Sequence, residues 1–349
     1  MRVYAGEQAL QHVRAQGLSP FDIKVLLGAS SGPKWLVLHG IDCFLQQFFK
    51  ASESDLELLG TSAGAWRMAT YAHQNPETAY RNLSEAYIEQ TYSAKPSGKE
   101  IQEGCRKVIH QLLGEQGAEA VLATKGRHLN VIATQCHGLT ASKNKHLKSL
   151  GYGLAAINNR CSRKTLAWQF SRILIHDPRS QLFNRRLTDL PTRYADLYSG
   201  NLEDTLLATG AIPVIIDGVE GLAGEGVYQD GGITDYAFDL PLLPKDGFVL
   251  FPHFANIPVP GWFDKGWINQ YRPWRKPSKA NYAKTIMLVP SEEFVASLPY
   301  KKIPDRHDFL NLSDQERISY WRKVVAQTEV LTDDLATMHW QSRVEPLPW

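Results

Sequence analysis

Apolar and polar residues alternate along the chain in blocks that predict strands and helices in turn. Short apolar runs predict buried strands at residues 23–27, 55–59, 128–134, 248–251 and 286–289. Helical periodicity, with start and stop signals, predicts helices at residues 6–17, from residue 63, from Pro76, across the polar stretch 95–126, and from the capping box at Ser313 to about Met338. Lysine-rich residues 139–150 are expected to form a solvated loop, and the apolar run 166–175 either a strand or a buried helix.

Strands that alternate with helices along a chain favour an α/β fold. We therefore expect a three-layer α/β/α domain with a mostly parallel central sheet. This domain would occupy residues 1–255, with its core at about 20–240. Residues 256–349 would form a C-terminal extension packed on the same domain.

Composition argues against some functions, such as nucleic-acid or zinc binding, but does not identify one. The chain has 349 residues, of which 43% are hydrophobic, and its formal charge of +2 predicts no nucleic-acid partner. The histidines show no paired spacing typical of a zinc site. Four cysteines without CxxC spacing predict reduced thiols in a cytoplasmic protein, with Cys43 and Cys136 buried. No signal region or membrane-length apolar run occurs, so we expect any lipid substrate to be reached from the membrane surface.

Two short segments carry the candidate chemistry. Residues 60–64, Gly-Thr-Ser-Ala-Gly, lie between a predicted strand and a predicted helix, as in a nucleophile elbow that lifts a serine hydroxyl clear of its own backbone. Residues 230–232, Asp-Gly-Gly, place a carboxylate in a turn that other backbone can approach closely. Because acyl transfer needs a nucleophile and a base, Ser62 and Asp230 are the candidates for these roles.

A third segment, Gly-Ala-Ser-Ser-Gly-Pro-Lys at residues 28–34, follows the first predicted strand. Small residues before Pro33 indicate a strand-to-helix turn whose outward amides can hold an oxyanion, although an ordinary connection would give the same pattern. The segment also matches Gly-x-Ser-x-Gly, which makes Ser30 a rival nucleophile. Ser30 fits an α/β-hydrolase elbow less well than Ser62, because only one predicted strand precedes it and no histidine stands out as its partner.

Taken in order, these segments resemble the patatin-like phospholipases over roughly residues 20–240. Members of that family have a glycine-rich oxyanion loop ending in Arg or Lys, then Gly-x-Ser-x-Gly, then Asp-Gly-Gly or Asp-Gly-Ala. Lys34 stands at the basic position, Gly40 matches a glycine of the following helix, and residues 207–213 resemble the Ala-Ser-x-Ala-Ile-Pro stretch before the aspartate. The resemblance implies a patatin-like fold and a lipid acyl hydrolase, that is, a phospholipase-like esterase acting on a lipid or other ester.

The resemblance also implies a Ser-Asp dyad with an acyl-serine intermediate, and neither a metal nor an organic cofactor. Aspartate is a weak base with a pKa of about 3.9, so an oxyanion hole must stabilise the intermediate as it forms. The implied residues are Ser62 and Asp230 for catalysis, the backbone of Ser30, Ser31 and Gly32 for the oxyanion hole, and Lys34, Gly60, Gly64, Gly231 and Gly232 in support.

Two segments depart from the family pattern. Trp35 stands where the oxyanion loop usually has glycine, and residues 233–236, Ile-Thr-Asp-Tyr, replace an Asn-x-Pro-like stretch. An acyltransferase on a related fold and a non-catalytic lipid- or partner-binding module therefore remain alternatives to the hydrolase. Such transferases carry a histidine beside the nucleophile, where this chain has Thr61.

Aromatic and basic residues are concentrated in residues 262–279. Both kinds of side chain favour membrane interfaces, so we expect this segment to make a peripheral contact with an anionic lipid surface. Packing of the same tryptophans on the main domain, or a protein interface, would also explain them. The residues are Trp262, Phe263, Lys265, Trp267, Tyr271, Arg272, Trp274, Arg275, Lys276 and Lys279.

Overall fold

The computed structural model describes residues 1–50, 52, 54–183, 186–265 and 276–349. The strands within this part of the chain are β1 (Arg2–Ala5), β2 (Ile23–Gly28), β3 (Leu56–Thr61), β4 (Arg127–Cys136), β5 (Phe170–His176), β6 (Thr192–Asp196), β7 (Val219–Glu220), β8 (Val227–Gln229), β9 (Phe248–Pro252), β10 (Thr285–Val289) and β11 (Val344–Pro346). The helices are α1 (Glu7–Gln16), α2 (His39–Lys50), α3 (Ala63–Ala72), α4 (Pro76–Ile88), α5 (Gly98–Leu113), α6 (Glu119–Leu122), α7 (Lys145–Cys161), α8 (Leu202–Thr209), α9 (Glu292–Ser297), α10 (Asp308–Asn311), α11 (Asp314–Gln327), α12 (Glu329–Ala336) and α13 (Trp340–Arg343).

The fold is α/β, and its central sheet is mostly parallel. The strand order is β11-β1-β10-β9-β2-β3-β4-β5-β6, while β8 pairs with β4 and β7 pairs with β8. Strands β10, β9, β2, β3 and β4 run in one direction. At the two sides, β1 is antiparallel to β10 and parallel to β11, and β5 is antiparallel to β4 and parallel to β6. The expected fold class is therefore confirmed at this level. Residues 256–349 contribute β10 and β11 to the same sheet.

Both faces of the sheet are covered by apolar side chains. Along β2, Leu26 belongs to a core cluster with helices α2 to α5, whereas Val25 and Leu27 belong to a second cluster on the other face. Helix α7 and irregular segments around Phe238 and Tyr282 cover that second face. Strands buried on both faces need continuous apolar runs, which is the pattern that identified them in the sequence.

Two predicted elements need correction. The expected solvated loop at 139–150 contains the start of α7, whose first amides donate to the Asn144 side chain. Lys145 and Lys148 therefore lie on a helix, and only Lys143 lies in the turn before it. The single helix predicted from Ser313 to Met338 is two helices that meet at Thr328. Thr328 Oγ1 accepts a hydrogen bond from Gly40 N at 2.9 Å, and a Cβ on Gly40 would lie 1.9 Å from the Thr328 carbonyl oxygen. The break thus allows α2 to approach very closely.

The remaining elements agree with the expectations. The run 166–175 resolves into strand β5 preceded by a 3₁₀ turn, and the predicted strands at 128–134, 248–251 and 286–289 correspond to β4, β9 and β10. All four cysteines are free thiols; Cys136 is buried as expected, whereas Cys43 is half-buried.

Candidate active site

Ser62 occupies a sharp turn between β3 and α3. Its φ is 54° and its ψ is −138°, a conformation that non-glycine residues rarely adopt and that typically stores on the order of 1–3 kcal/mol of strain. The flanking glycines are needed because their neighbours are so close. A Cβ on Gly64 would lie 2.0 Å from the Gly28 carbonyl oxygen, and one on Gly60 would lie 2.3 Å from the Ala65 Cα. The turn therefore has the geometry of the nucleophile elbow that the sequence predicts.

Strand register brings Asp230 to the same place from far along the chain. Strand β8 is antiparallel to β4 and ends with Gln229 opposite Thr134, so Asp230 follows beside the next residues of β4. Within β4, Ile132 is the register partner of Thr61, the residue before Ser62. The Asp-Gly-Gly turn is thereby held against the carboxyl ends of β3 and β4.

The two side chains form a direct hydrogen bond. Ser62 Oγ donates to Asp230 Oδ2 at 2.9 Å, and Gly232 N donates to Asp230 Oδ1 at 2.7 Å. Ser62 is 7% exposed and Asp230 is 8% exposed. No hydrogen bond of Ser30 Oγ exists within the described residues, so only one of the two rival serines has a base in contact.

A hydroxyl that the sequence did not single out supports the dyad. Thr209 Oγ1, at the end of α8, accepts from Ser62 N at 2.8 Å and donates to the Ile132 carbonyl at 2.6 Å. Two residues later, the Ala211 carbonyl accepts from Asp230 N at 3.1 Å. Both residues belong to the stretch 207–213 that resembles the patatin-like pattern, so a signal was present although these contacts were not foreseen.

The expected oxyanion loop requires one correction. Ser30 N donates to the Tyr236 carbonyl at 2.9 Å, so this amide is already used. The amides of Ser31 and Gly32 have no acceptor within the described part of the chain, and neither has that of Ala63, the first residue of α3. Ser31 Oγ is buried and also lacks a partner there. These donors remain free to bind a negatively charged oxygen.

Gly231 and Gly232 allow the Asp-Gly-Gly turn to lie very close to neighbouring atoms. A Cβ on Gly231 would lie 2.0 Å from the Ile132 carbonyl oxygen, and one on Gly232 would lie 2.6 Å from Ser30 Oγ. Since no larger side chain fits there without movement, both glycines are needed for the observed distance between Ser62 and Asp230.

Burial raises the pKa of Asp230 to about 6, and this effect outweighs three opposing ones. The Gly232 amide, the Ser62 hydroxyl and the positive charge of Lys265 all favour the carboxylate. A carboxyl group that titrates closer to neutral pH is a stronger base than an exposed aspartate. The site thus moves the proton affinity of Asp230 in the direction that general-base chemistry requires.

Two lysines lie close to the site, Lys265 near Asp230 and Lys34 near Lys265, and burial favours the neutral form of both. Burial lowers the pKa of Lys265 to about 6, with the charge of Lys34 adding to the effect. Lys265 Nζ lies 3.2 Å from the centre of the Tyr236 ring, and Lys34 Nζ lies 5.1 Å from the centre of the Phe254 ring. Burial likewise lowers the pKa of Lys34. Positive charge in a poorly solvated site favours negative charge on a bound substrate.

Asp235, which follows the Asp-Gly-Gly turn, contacts a buried arginine. Arg172, on β5, donates to both oxygens of Asp235 at 2.6 and 2.8 Å and to both oxygens of Asp189 at 2.8 Å. Asp235 N in turn donates to the Gly231 carbonyl at 2.9 Å. The buried ion pair between Arg172 and Asp235 therefore stabilises the Asp-Gly-Gly turn. Trp35, which departs from the family pattern, is fully buried and packs edge-on against aromatic side chains of α4.

One histidine lies at the same edge of the sheet, immediately after β9. Burial lowers the pKa of His253 to about 4, and its Nδ1 faces the Ala255 carbonyl at 2.7 Å. The partner of the Ser62 hydroxyl is the Asp230 carboxylate instead. The contacts therefore match a dyad rather than a serine-histidine pair.

The aromatic and basic segment 262–279 is described only in part. Trp262 and Phe263 pack against Tyr152 and Phe170, as the core-packing alternative expects. Lys276 and Lys279 are described and exposed. Trp267, Tyr271, Arg272, Trp274 and Arg275 lie outside the described residues.

Across the described ranges, no group of three or more His, Cys, Asp or Glu side chains is placed to hold a metal ion. None of the described helices combines the length and apolarity that a membrane crossing requires. A separate cleft of about 750 Å³ opens at the amino ends of β3 and β4 and is lined partly by α2 and the start of α4. It therefore lies at the opposite end of these strands from the dyad. It does not contain Ser62 or Asp230.

Comparison with known proteins gave no assignment: no protein-family model matches the chain, and a search of curated proteins found no match.

Proposed function

We propose that this protein is a serine hydrolase of the patatin-like type, a lipid acyl hydrolase that uses Ser62 and Asp230. The observation that carries the proposal is the 2.9 Å hydrogen bond from Ser62 Oγ, on a strained turn, to a buried carboxylate. We also propose that the protein acts in the cytoplasm, where thiols stay reduced, and its four free cysteines support this.

The first half of the reaction would form an acyl-enzyme. Ser62 Oγ attacks the ester carbonyl carbon while its proton passes to Asp230 Oδ2. The developing oxyanion accepts hydrogen bonds from the amides of Ser31, Gly32 and Ala63. The tetrahedral intermediate then collapses, the alcohol leaves with the proton from Asp230, and the acyl group stays on Ser62.

The second half would return the enzyme to its starting state. Water attacks the acyl carbonyl while Asp230 takes one of the water protons. The bond between Ser62 Oγ and the acyl carbon then breaks, Asp230 passes that proton to Ser62 Oγ, and the fatty acid leaves. Lys34 and Lys265 support this scheme, because both tetrahedral intermediates are anionic and an anion in the site favours the protonated form of a nearby lysine. Loss of one oxyanion donor typically reduces the rate on the order of 100- to 1000-fold.

A fluorophosphonate probe tests the proposal directly, because it labels an activated serine. Ser62→Ala should abolish both labelling and hydrolysis of a short soluble ester. Ser30→Ala is the matched control and should leave labelling intact, since the Ser30 hydroxyl has no base in contact. Labelling that survives Ser62→Ala and disappears with Ser30→Ala would reverse the assignment, and no labelling in the unmodified protein would favour a non-catalytic binding module.

A further inference from the structure

Helix α7 carries an apolar stripe on its exposed side. Leu147, Leu150, Leu154 and Ile157 recur every three or four residues, so they lie on one side of the helix, and each is between 41% and 63% exposed. We call these four residues the α7 face. Buried positions of the same helix, such as Tyr152 and Ala155, lie on a different side and pack against the sheet. The α7 face is thus additional to the core-facing surface of the helix.

The structures on either side of α7 extend this surface. Leu139, in the turn before the helix, is half-exposed and lies against Gly151, where a Cβ would come within 2.8 Å of Leu139 Cβ. Trp168, in the turn after the helix, is 68% exposed, and that turn packs against α7. Apolar residues exposed together in this way mark an interaction surface.

The charges that α7 and its flanking turns themselves carry have a single sign. No Asp or Glu occurs between Glu119 and Asp177. The cations between the turn before α7 and Trp168 are Lys143, Lys145, Lys148, Arg160, Arg163 and Lys164. Lys143 pairs with Glu220 at 3.0 Å and Arg163 with Asp264 at 3.1 Å. Lys148 is buried. Lys145 and Lys164 are exposed at the two ends of the helix.

We propose that the α7 face docks on an anionic lipid bilayer, with its apolar side chains in the headgroup boundary and the surrounding cations against lipid phosphates and carboxylates. An amphipathic helix with an apolar side and flanking lysines binds membranes in this way. A second copy of this chain fits less well. A symmetric dimer would place the same acid-free segment on both sides of the interface, so its cations would repel one another.

The position of α7 connects this surface to the dyad. The buried side of the helix contacts the residue before Asp230, because the Tyr152 hydroxyl hydrogen-bonds to the Gln229 side chain. Helix α7 lies near the carboxyl end of β4, the end at which Ser62 and Asp230 meet. A bilayer bound at the α7 face would therefore lie at the same end of the sheet as the candidate active site. Docking itself does not depend on hydrolysis.

Vesicle co-sedimentation tests the docking. The protein carries Ser62→Ala, so that no product forms, and is mixed with phosphatidylcholine vesicles with or without phosphatidylserine. Binding should need phosphatidylserine and weaken with salt. Leu150→Gln with Ile157→Gln should reduce partitioning by about tenfold or more. Lys145→Gln with Lys164→Gln should reduce it by about tenfold and lower its salt dependence.

Matched controls use equally exposed residues elsewhere. Leu310→Gln with Val330→Gln, on α10 and α12 of the opposite helical layer, should bind as the parent does. Lys107→Gln with Lys125→Gln should do the same. In the background with Ser62 intact, the α7 variants should hydrolyse a short soluble ester at the unmodified rate, which separates this test from that of the proposed function.

Three results would overturn the docking. The first is absence of binding to phosphatidylserine vesicles, and the second is binding that the α7 variants leave unchanged. The third is a dimer in analytical ultracentrifugation that the leucine and isoleucine substitutions dissociate while vesicle binding persists, because the α7 face would then join two copies of the chain. Circular dichroism checks that each variant folds, and the lysine pair, being fully on the surface, keeps the test decisive if the apolar pair fails to fold.

Discussion

Replacement of Asp230 by asparagine should abolish activity and stabilise the protein at neutral pH. Burial raises the pKa of this carboxyl from 3.8 to about 6. The folded protein therefore holds the proton more tightly than the unfolded chain does, and ionisation of Asp230 destabilises the fold. Each pKa unit corresponds to about 1.4 kcal/mol, so the destabilisation at neutral pH amounts to roughly 3 kcal/mol.

The sign of the pH dependence follows from the same two values. The stability that the protonated carboxyl contributes is fully present below pH 3.8 and is lost as the pH rises through about 6. Asparagine has no proton to lose and can still accept from Gly232 N. Asp230→Asn should therefore gain up to roughly 3 kcal/mol relative to the unmodified protein between acidic and neutral pH. Turnover should fall by at least about 100-fold, as for loss of a general base.

Urea unfolding at a series of pH values, followed by tryptophan fluorescence, measures this difference. Asp177→Asn provides a control of opposite sign. Hydrogen bonds from Arg179 outweigh the burial of Asp177 and lower the pKa of that carboxyl, so its replacement should be most destabilising at neutral pH. A stability difference for Asp230→Asn that does not change with pH, or a net loss at neutral pH, would show that Asp230 stabilises the turn and is not strained by burial.

Three further expectations concern the surroundings of the dyad. The pH profile of kcat/KM should show an acid limb near the Asp230 pKa of about 6. Lys265→Met should move this limb to higher pH, because protonated Lys265 favours the Asp230 carboxylate, and a limb that does not move would contradict this interaction between the two side chains. Gly64→Ala should lower the free energy of unfolding by at least about 2 kcal/mol, since its Cβ would overlap a backbone carbonyl, whereas Gly153→Ala, with open space around it, should be neutral or stabilising in the same urea titration. Arg172→Met should lower the free energy of unfolding by about 3–5 kcal/mol, because it leaves the buried Asp235 carboxylate without its cation, and adding Asp235→Asn should recover part of the loss. A small effect of Arg172→Met alone would mean that this ion pair does not stabilise the Asp-Gly-Gly turn.

Local physical chemistry made much of the fold readable from the sequence. A strand buried on both faces is apolar along most of its length, which is why the runs at β2, β3, β9 and β10 stand out even though β2 contains Lys24 and β3 contains Glu57. The start of α7 was missed because lysines alternate with its first leucines, so the segment was read as solvated although its apolar residues recur with helical spacing. The break at Thr328 was missed because its cause, the close approach of Gly40, lies far away in the chain.

The elbow was predictable for the same local reason. Ser62 has a positive φ, and Cβ atoms on Gly60 and Gly64 would lie only 2.0–2.3 Å from other backbone atoms. Such a turn requires glycine at both flanking positions, and this spacing is visible in the sequence. The sequence could also name Asp230, because a turn of Asp-Gly-Gly is a local pattern. It could not show that the two side chains meet, since 168 residues separate them and the register of β3, β4 and β8 decides their distance.

What remained was decided by tertiary structure alone. The hydrogen bond from Ser30 N to Tyr236 removes one expected oxyanion donor, and the burial of Asp230 beside Lys265 sets its proton affinity. Both depend on how segments distant in sequence pack and exclude water. The sequence by itself determined which residues can perform the chemistry, because backbone conformation and chemical type are local properties. Only the folded chain decided which of them are free to act, because hydrogen-bond partners and desolvation are properties of the packed interior.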